Sequence, residues 1–221
     1  MIRNIVFDFG GVLVDWNPRY LYDGYFGDEQ KSRWFIENIC TGEWNVQMDA
    51  GRPFADCVAE LSARHPEWAD AIGIYRSRWI EMIGGEVEGT ADVVRRLKAA
   101  GYGVYGLTNW ANETFPSVRD RYEVFSLLDG IVVSGDECLV KPDERIYRCL
   151  LDRYGLNAAE SLFIDDNATN VAAARAVGME GLRFESAAKL EQDLKGIYGP
   201  RWISLSLKAP SCIIAHCSIV I

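Results

Sequence analysis

Four short segments of this chain carry side chains suited to chemistry. Asp8 stands in Phe7-Asp8-Phe9-Gly10-Gly11-Val12, near the end of an apolar run that starts at Ile2. Thr108-Asn109 close a run that starts at Val104, Lys141-Pro142 precede Asp143, and Asp165-Asp166-Asn167 follow Ser161–Ile164. Taken singly, each has an ordinary structural reading: Asp and Asn are favoured helix caps, Thr-Asn makes a turn, and a lysine is usually a solvated charge. Taken together they assemble three carboxylates, a hydroxyl, an amide and an ammonium. Converging carboxylates repel and raise one another's affinity for protons. A divalent cation relieves that repulsion, and Mg²⁺ in particular takes oxygen ligands from one or two carboxylates, waters and a phosphate oxygen.

The elements that must position these groups are legible from pattern. Ile2–Phe9 is a short β-branched and apolar run closed by glycines, the signature of a buried strand leading into a tight loop. From Gly89 onward strands and helices alternate. Thr90 is placed to cap a helix over Ala91–Ala100 that closes at Gly101, followed by a strand at Val104–Leu107, a helix over 112–122 and a strand at Ile131–Val133. Asp143 caps a helix Glu144–Tyr154 ended by Gly155, then come a strand Ser161–Ile164, a helix Ala168–Val177, a strand Gly181–Phe184 and a helix Ser186–Lys195. Strands alternating with helices of this length imply an α/β fold, a Rossmann-like parallel sheet covered by helices on both faces. In such open sheets ligands bind outside the carboxyl ends of the strands, and that is where Asp8, Thr108 and Asp165-Asp166 fall.

Between the first strand and the next α/β unit, Pro18 to Ile83 shows helical spacing only, as in Ala55-Cys57-Val58-Leu61 and Ile72-Tyr75-Trp79-Met82. Five of the seven tryptophans lie between Trp16 and Trp79, an aromatic face that reads first as core. The organisation expected is a core of residues 1–14 and 87–200, an inserted helical cap subdomain at 15–86, and a tail at 201–221. The tail has no acidic residue and only Arg201 and Lys208 as formal charges, and its role stays open.

Composition excludes several classes. The 221 residues are 49% hydrophobic and 25% charged, ordinary globular usage rather than that of a disordered chain. A net charge of −9 argues against a general basic surface for nucleic acid. There is no secretory pattern at the start and no apolar run of roughly 18 residues for a membrane helix, so the expected setting is cytoplasmic, with no nucleic-acid or membrane partner, as a monomer or homodimer. Cys40, Cys57, Cys138 and Cys149 lack CxxC spacing and read as reduced thiols. Cys212, His216 and Cys217 are too few for a convincing zinc site. Gly101-Tyr-Gly-Val-Tyr-Gly106 matches GxGxxG but leaves a helix and enters a strand, the reverse of a dinucleotide fingerprint. The two histidines and the missing Gly-x-Ser-x-Gly elbow disfavour a Ser-His-Asp hydrolase.

The segments Phe7–Val12, Leu107–Asn109, Val140–Asp143 and Phe163–Asn170 resemble, in order, the four motifs of the haloacid dehalogenase (HAD) superfamily, and the helical insert resembles its small cap. The resemblance spans about residues 1–196. It implies Asp8 as a nucleophile that forms a covalent intermediate, Thr108 and the following backbone N–H groups as the grip on the transferring group, and Lys141 as its charge neutraliser. It also implies Mg²⁺ as cofactor, held by Asp8, the Gly10 carbonyl and Asp166, with Asp165 and Asn170 supporting from behind. Asn109 and Trp16 are expected to contact substrate, with Trp44-Asn45 as further candidates for the pocket; the alternative for Trp16 and Trp44 is that they pack cap against core.

The resemblance leaves the reaction to be chosen. Metal-free dehalogenases of the superfamily carry Ser-Ser-Asn where this chain has Asp165-Asp166-Asn167, and a haloacid carboxylate would be repelled there. A phosphate bridged by Mg²⁺ would be welcome. The expected function is a Mg²⁺-dependent phosphatase acting on a small phosphorylated metabolite, sugar 1-phosphates included. The alternatives are a metal-independent 2-haloacid dehalogenase and a catalytically weak binding or regulatory relative. Most family phosphatases place an Asp two residues after the nucleophile as general acid, worth about 10²–10⁴-fold. Here Gly10 occupies that place, so another group, a water or a good leaving group must make up for it.

Overall fold

The computed structural model describes residues 1–198. The chain opens with β1 (Asn4–Phe7) and β2 (Val14–Trp16), then runs through α1 (Arg19–Phe26), α2 (Glu29–Asn38), α3 (Gly42–Asp49), α4 (Phe54–Arg64) and α5 (Ala69–Ser77) before β3 (Ile83–Glu86). There follow α6 (Thr90–Ala99), β4 (Gly103–Thr108), α7 (Phe115–Arg119), β5 (Gly130–Val133), α8 (Ser134–Glu137), α9 (Glu144–Tyr154), β6 (Ser161–Asp165), α10 (Ala168–Ala176), β7 (Glu180–Arg183) and α11 (Ala187–Tyr198). Five strands form one sheet in the order β5-β4-β1-β6-β7, every neighbouring pair parallel. The first strand is central, and Phe7 pairs with both Gly106 and Ile164. The strand order reverses direction at β1, the kind of switch point where α/β sheets bind ligands.

Alternate strand residues feed two apolar layers, as the period-two pleat requires. Val6, Leu107, Val132 and Phe163 pack with Ile146, Tyr147 and Leu150 of α9 and Ala174 of α10. Ile5, Phe7, Val104, Leu162 and Ile164 point the other way, onto Val93, Val94 and Leu97 of α6 and Leu190 and Leu194 of α11. This second layer continues without a break into the helical insert through Val12, Leu13, Leu21, Tyr22, Phe35, Trp44 and Tyr75. The insert is joined to the core by an antiparallel ribbon, Val14 opposite Glu86 and Trp16 opposite Ile83. The boundaries expected at residues 15 and 86 therefore fall inside a hydrogen-bonded pair of strands.

Some local expectations need correction. The helix expected over 112–122 is only Phe115–Arg119. Backbone groups just before it are committed elsewhere: Trp110 N–H donates to Ser134 Oγ at 2.9 Å, and Trp110 C=O accepts from Gly135 N–H at 3.1 Å. Thr90 lies inside α6 rather than capping it, and its hydroxyl donates to Val87 C=O at 2.7 Å. Asp143 does cap α9, accepting from Arg145 N–H. The GxGxxG glycines are structural: Gly101 has φ +83°, Gly103 opens β4, and a Cβ on Gly106 would lie 2.3 Å from the Phe9 ring. No helix among the described residues is long and apolar enough to cross a membrane. Residues 201–221, with Cys212, His216 and Cys217, lie outside the described residues.

Candidate active site

The carboxyl ends of β1, β4 and β6, three adjacent strands, deliver Asp8, Thr108 and Asp165 to one place. Lys141 joins them from the loop before α9. Its Nζ lies 2.7 Å from Asp8 Oδ1 and 2.7 Å from Asp165 Oδ2, so one ammonium bridges two buried carboxylates. Phe9 N–H also donates to Asp8 Oδ1 at 2.6 Å. Burial pushes the Asp8 carboxyl above its ordinary value, Lys141 opposes that shift, and the negative charge of Asp165 adds to it. Lys141 feels burial as a cost to its charge, but the two carboxylates outweigh it and hold its proton more firmly than usual.

Asp165 is enclosed on its remaining sides. It accepts from Asn167 N–H at 2.8 Å and from Asn170 Nδ2 at 3.2 and 3.1 Å. Asn170 rides on the first turn of α10, and its carbonyl accepts from the Tyr147 hydroxyl at 2.9 Å. Asp166, next in the chain, is more exposed. Burial and the neighbouring Asp165 both raise its proton affinity. Asp8, Asp165 and Asp166 each offer an oxygen within 4.8 Å of the others. The loop after β1 is shaped around this group: Gly11 has φ +73°, and a Cβ there would lie 2.8 Å from Asp166 Oδ2. An all-oxygen set with more negative charge than one lysine can balance fits a hard divalent cation.

Thr108 and Asn109 differ in what they do. The Thr108 hydroxyl is fully buried and has no hydrogen-bond partner among the described residues. Asn109 Nδ2 donates to Lys141 C=O at 3.0 Å, and Asn109 Oδ1 accepts from Lys141 N–H at 2.8 Å. The amide expected to contact substrate is thus engaged with the backbone that carries Lys141.

A cavity of about 80 Å³ sits between sheet and cap, lined by Gly10, Trp16, Asn45, Asp49, Trp79, Asn109 and Trp110. The structure puts Trp16 in this lining but not Trp44, which is buried in the cap, with Nε1 donating to Cys57 C=O at 3.3 Å and the ring edge-on to Tyr75. Asn45, one residue on, does line the cavity. Sequence reading missed Asp49. Its available signals were an i, i+4 spacing from Asn45 and the Gly51 that follows; Asn45 Nδ2 donates to Asp49 Oδ2 at 2.9 Å. Gly51 has φ +89°, and a Cβ there would lie 2.7 Å from Gly135 C=O. The C-terminal end of α3 therefore touches the core main chain directly, and Ser134 Oγ donates to Asp49 C=O at 2.5 Å.

A central parallel sheet, a helical insert after β1 and an acidic cluster with a bridging lysine at the strand ends define a hydrolase of the HAD type. Residues 2–178 match the family of haloacid dehalogenase-like hydrolases, and the chain belongs to that family. It is 31% identical over 195 residues to a sesquiterpene phosphatase of Aspergillus oryzae, covering 88% of this chain and 95% of that protein. A stretch of 94 residues is 32% identical to an (S)-2-haloacid dehalogenase of Burkholderia cepacia, covering 42% of this chain and 41% of that enzyme. Among solved structures, a HAD-like hydrolase of Porphyromonas gingivalis superposes with a TM-score of 0.68 at 22% identity, over 89% of this chain and 98% of that one. A HAD family enzyme of Bacteroides thetaiotaomicron, solved with magnesium and inorganic phosphate, gives 0.65 at 18% identity over 84% and 95%.

Proposed function

We propose that this chain is a Mg²⁺-dependent phosphomonoesterase that hydrolyses small phosphorylated metabolites through a covalent intermediate on Asp8. The observation that carries the reading is the buried Asp8–Lys141–Asp165 bridge beside Asp166, with three carboxylate oxygens within 4.8 Å. Asp8, the Gly10 carbonyl and Asp166 would hold the ion, steadied by Asp165 and Asn170. Bound there, Mg²⁺ supplies neutralisation of phosphoryl charge. The chain's own groups do the rest. An Asp8 oxygen attacks phosphorus, the bond to the ester oxygen breaks, and water then cleaves the acyl phosphate to return Asp8. Lys141 offsets the charge that the phosphate brings toward Asp8 and Asp165. The unpartnered Thr108 hydroxyl supplies a donor for a phosphoryl oxygen, and the Asn109 clamp holds Lys141 in place.

Trp16, Trp79 and Trp110 line the cavity and give the organic part of the substrate aromatic surface to meet. Such surface accepts an isoprenoid chain or the carbon face of a sugar, so an isoprenyl monophosphate, in line with the Aspergillus relative, joins the sugar 1-phosphates as a candidate. The dehalogenase reading draws on the Burkholderia relative, but Asp165 and Asp166 would repel a haloacid carboxylate. The test is an assay of purified protein on a phosphate-ester panel holding both classes, with Mg²⁺ and with EDTA. Expected are turnover with Mg²⁺, its loss in EDTA, and none in Asp8→Asn. Turnover indifferent to EDTA, or halide release from 2-chloropropionate without phosphatase activity, overturns the reading.

A further inference from the structure

Gly10 has no side chain to protonate the departing oxygen, and the cavity it lines holds one carboxylate that the scheme above leaves idle. That carboxylate is Asp49, at the C-terminal end of α3 in the cap. Its surroundings hold it in a fixed pose. Tyr75 O–H donates to Asn45 Oδ1 at 2.7 Å, which commits the Asn45 amide to donate its N–H to Asp49 Oδ2 at 2.9 Å. Below it, the Ser134 hydroxyl and the Gly51–Gly135 approach tie the same helix end to the core. The enclosure also favours the neutral acid: burial pushes the Asp49 carboxyl up to about 7, with the Ala111 N–H and the Lys141 charge pulling it back. A carboxyl group placed this way carries a proton near neutral pH and can give it up.

We propose that Asp49 is the general acid of this enzyme, a catalytic residue that the cap brings to the cavity in place of a side chain at position 10. The inference rests on the phosphatase reading. As an Asp8 oxygen bonds to phosphorus and the bond from phosphorus to the ester oxygen breaks, the Asp49 proton passes to that oxygen and the alcohol leaves. Asp49, now a carboxylate, takes a proton from the water that attacks the acyl phosphate. Inorganic phosphate departs, and both aspartates return to their starting states.

The experiment measures kcat/KM, which reports P–O cleavage, for aryl and alkyl phosphates of graded leaving-group acidity. Wild type and Asp49→Asn, which keeps an acceptor for Asn45, are compared on 4-nitrophenyl phosphate and on a simple alkyl phosphate. With a working acid the wild-type rates depend weakly on the leaving group. In Asp49→Asn the alkyl ester is expected to slow about 10²–10⁴-fold while the nitrophenyl ester, which needs no proton, slows less than about tenfold. A steep dependence already present in wild type overturns the proposal without recourse to any variant. So does a variant that slows both esters equally. If wild type hydrolyses neither ester, the phosphatase reading itself falls and the role of Asp49 falls with it; activity on both with an unselective Asp49→Asn defeats the Asp49 proposal alone.

Discussion

The side-chain amide of Asn109 grips both main-chain polar groups of Lys141, donating to its carbonyl and accepting from its N–H at 3.0 and 2.8 Å. The end of β4 thereby sets where the bridging ammonium stands. Asn109→Ala removes both bonds and frees the loop. The expected result is a loss of about 1–3 kcal/mol in urea unfolding and a fall in kcat larger than any rise in KM. Asn109→Asp restores only the acceptor and should recover part of the stability. Unchanged stability and kcat in Asn109→Ala would show that the loop holds itself.

Lys141 carries the only ammonium or guanidinium recorded in an ion pair with Asp8 or Asp165 among the described residues. Lys141→Met leaves both carboxylates buried and uncompensated, a change that costs about 3–5 kcal/mol. Asp8, which burial already raises, loses the charge that opposed that shift, so it binds its proton more tightly than in the unfolded chain and the folded variant gains relative stability as pH falls. Urea midpoints in metal-free buffer should therefore show a larger deficit at pH 8 than at pH 5. A deficit that is flat with pH would place the loss in packing instead.

Asp49 gives an equilibrium counterpart to its proposed role. Its carboxyl is raised to about 7 in the folded protein, against about 4 in an unfolded chain. Between those values the unfolded state releases the proton first, so wild-type stability falls as pH rises through the window. Asp49→Asn cannot titrate. Its stability relative to wild type should climb between pH 4 and pH 7, by about 3 kcal/mol. Parallel stability curves for the two proteins would show that the native carboxyl is unshifted.

Gly106 tests the fold rather than the chemistry. A Cβ there would lie 2.3 and 2.4 Å from two atoms of the Phe9 ring, which is buried and stacked with Phe115. Gly106→Ala should cost about 1–3 kcal/mol by overpacking, and the double change with Phe9→Leu should cost less than the sum of the two. Additive losses would mean the two positions do not meet.

Much of this arrangement was legible before any coordinates. Asp8, Thr108 and Asp165 could be placed because each ends an apolar run, and runs of that kind in an alternating α/β chain must be parallel strands. Lys141 could be grouped with them by its place after a strand and just before a helix, but nothing in its own loop marks it as buried, and its role came only through the resemblance. Asp49 escaped because its placement depends on how the cap docks, a long-range relation that leaves no mark in helical periodicity. The short α7 escaped because the helical spacing after Asn112 is real, while the backbone groups around Trp110 are taken by Ser134 and Gly135, two residues distant in the chain. Trp16 and Trp44 read alike in sequence, and only packing separates a wall of the cavity from a core residue of the cap.

The meeting of Gly51 with Gly135 has a mechanical meaning. With no side chain on Gly51, its main chain lies against the Gly135 carbonyl, and the Cys138 sulfur is the nearest side-chain atom to that approach. Should the cap rotate about that seam, points beside it would sweep the shortest arcs. Asp49 is two residues from Gly51, so its distance from Gly10 would vary little while the far end of the cap travels most. A seam of this kind would let the cavity mouth widen for bulky organic groups while the Asp49 carboxyl stays close to Gly10, on the wall they share.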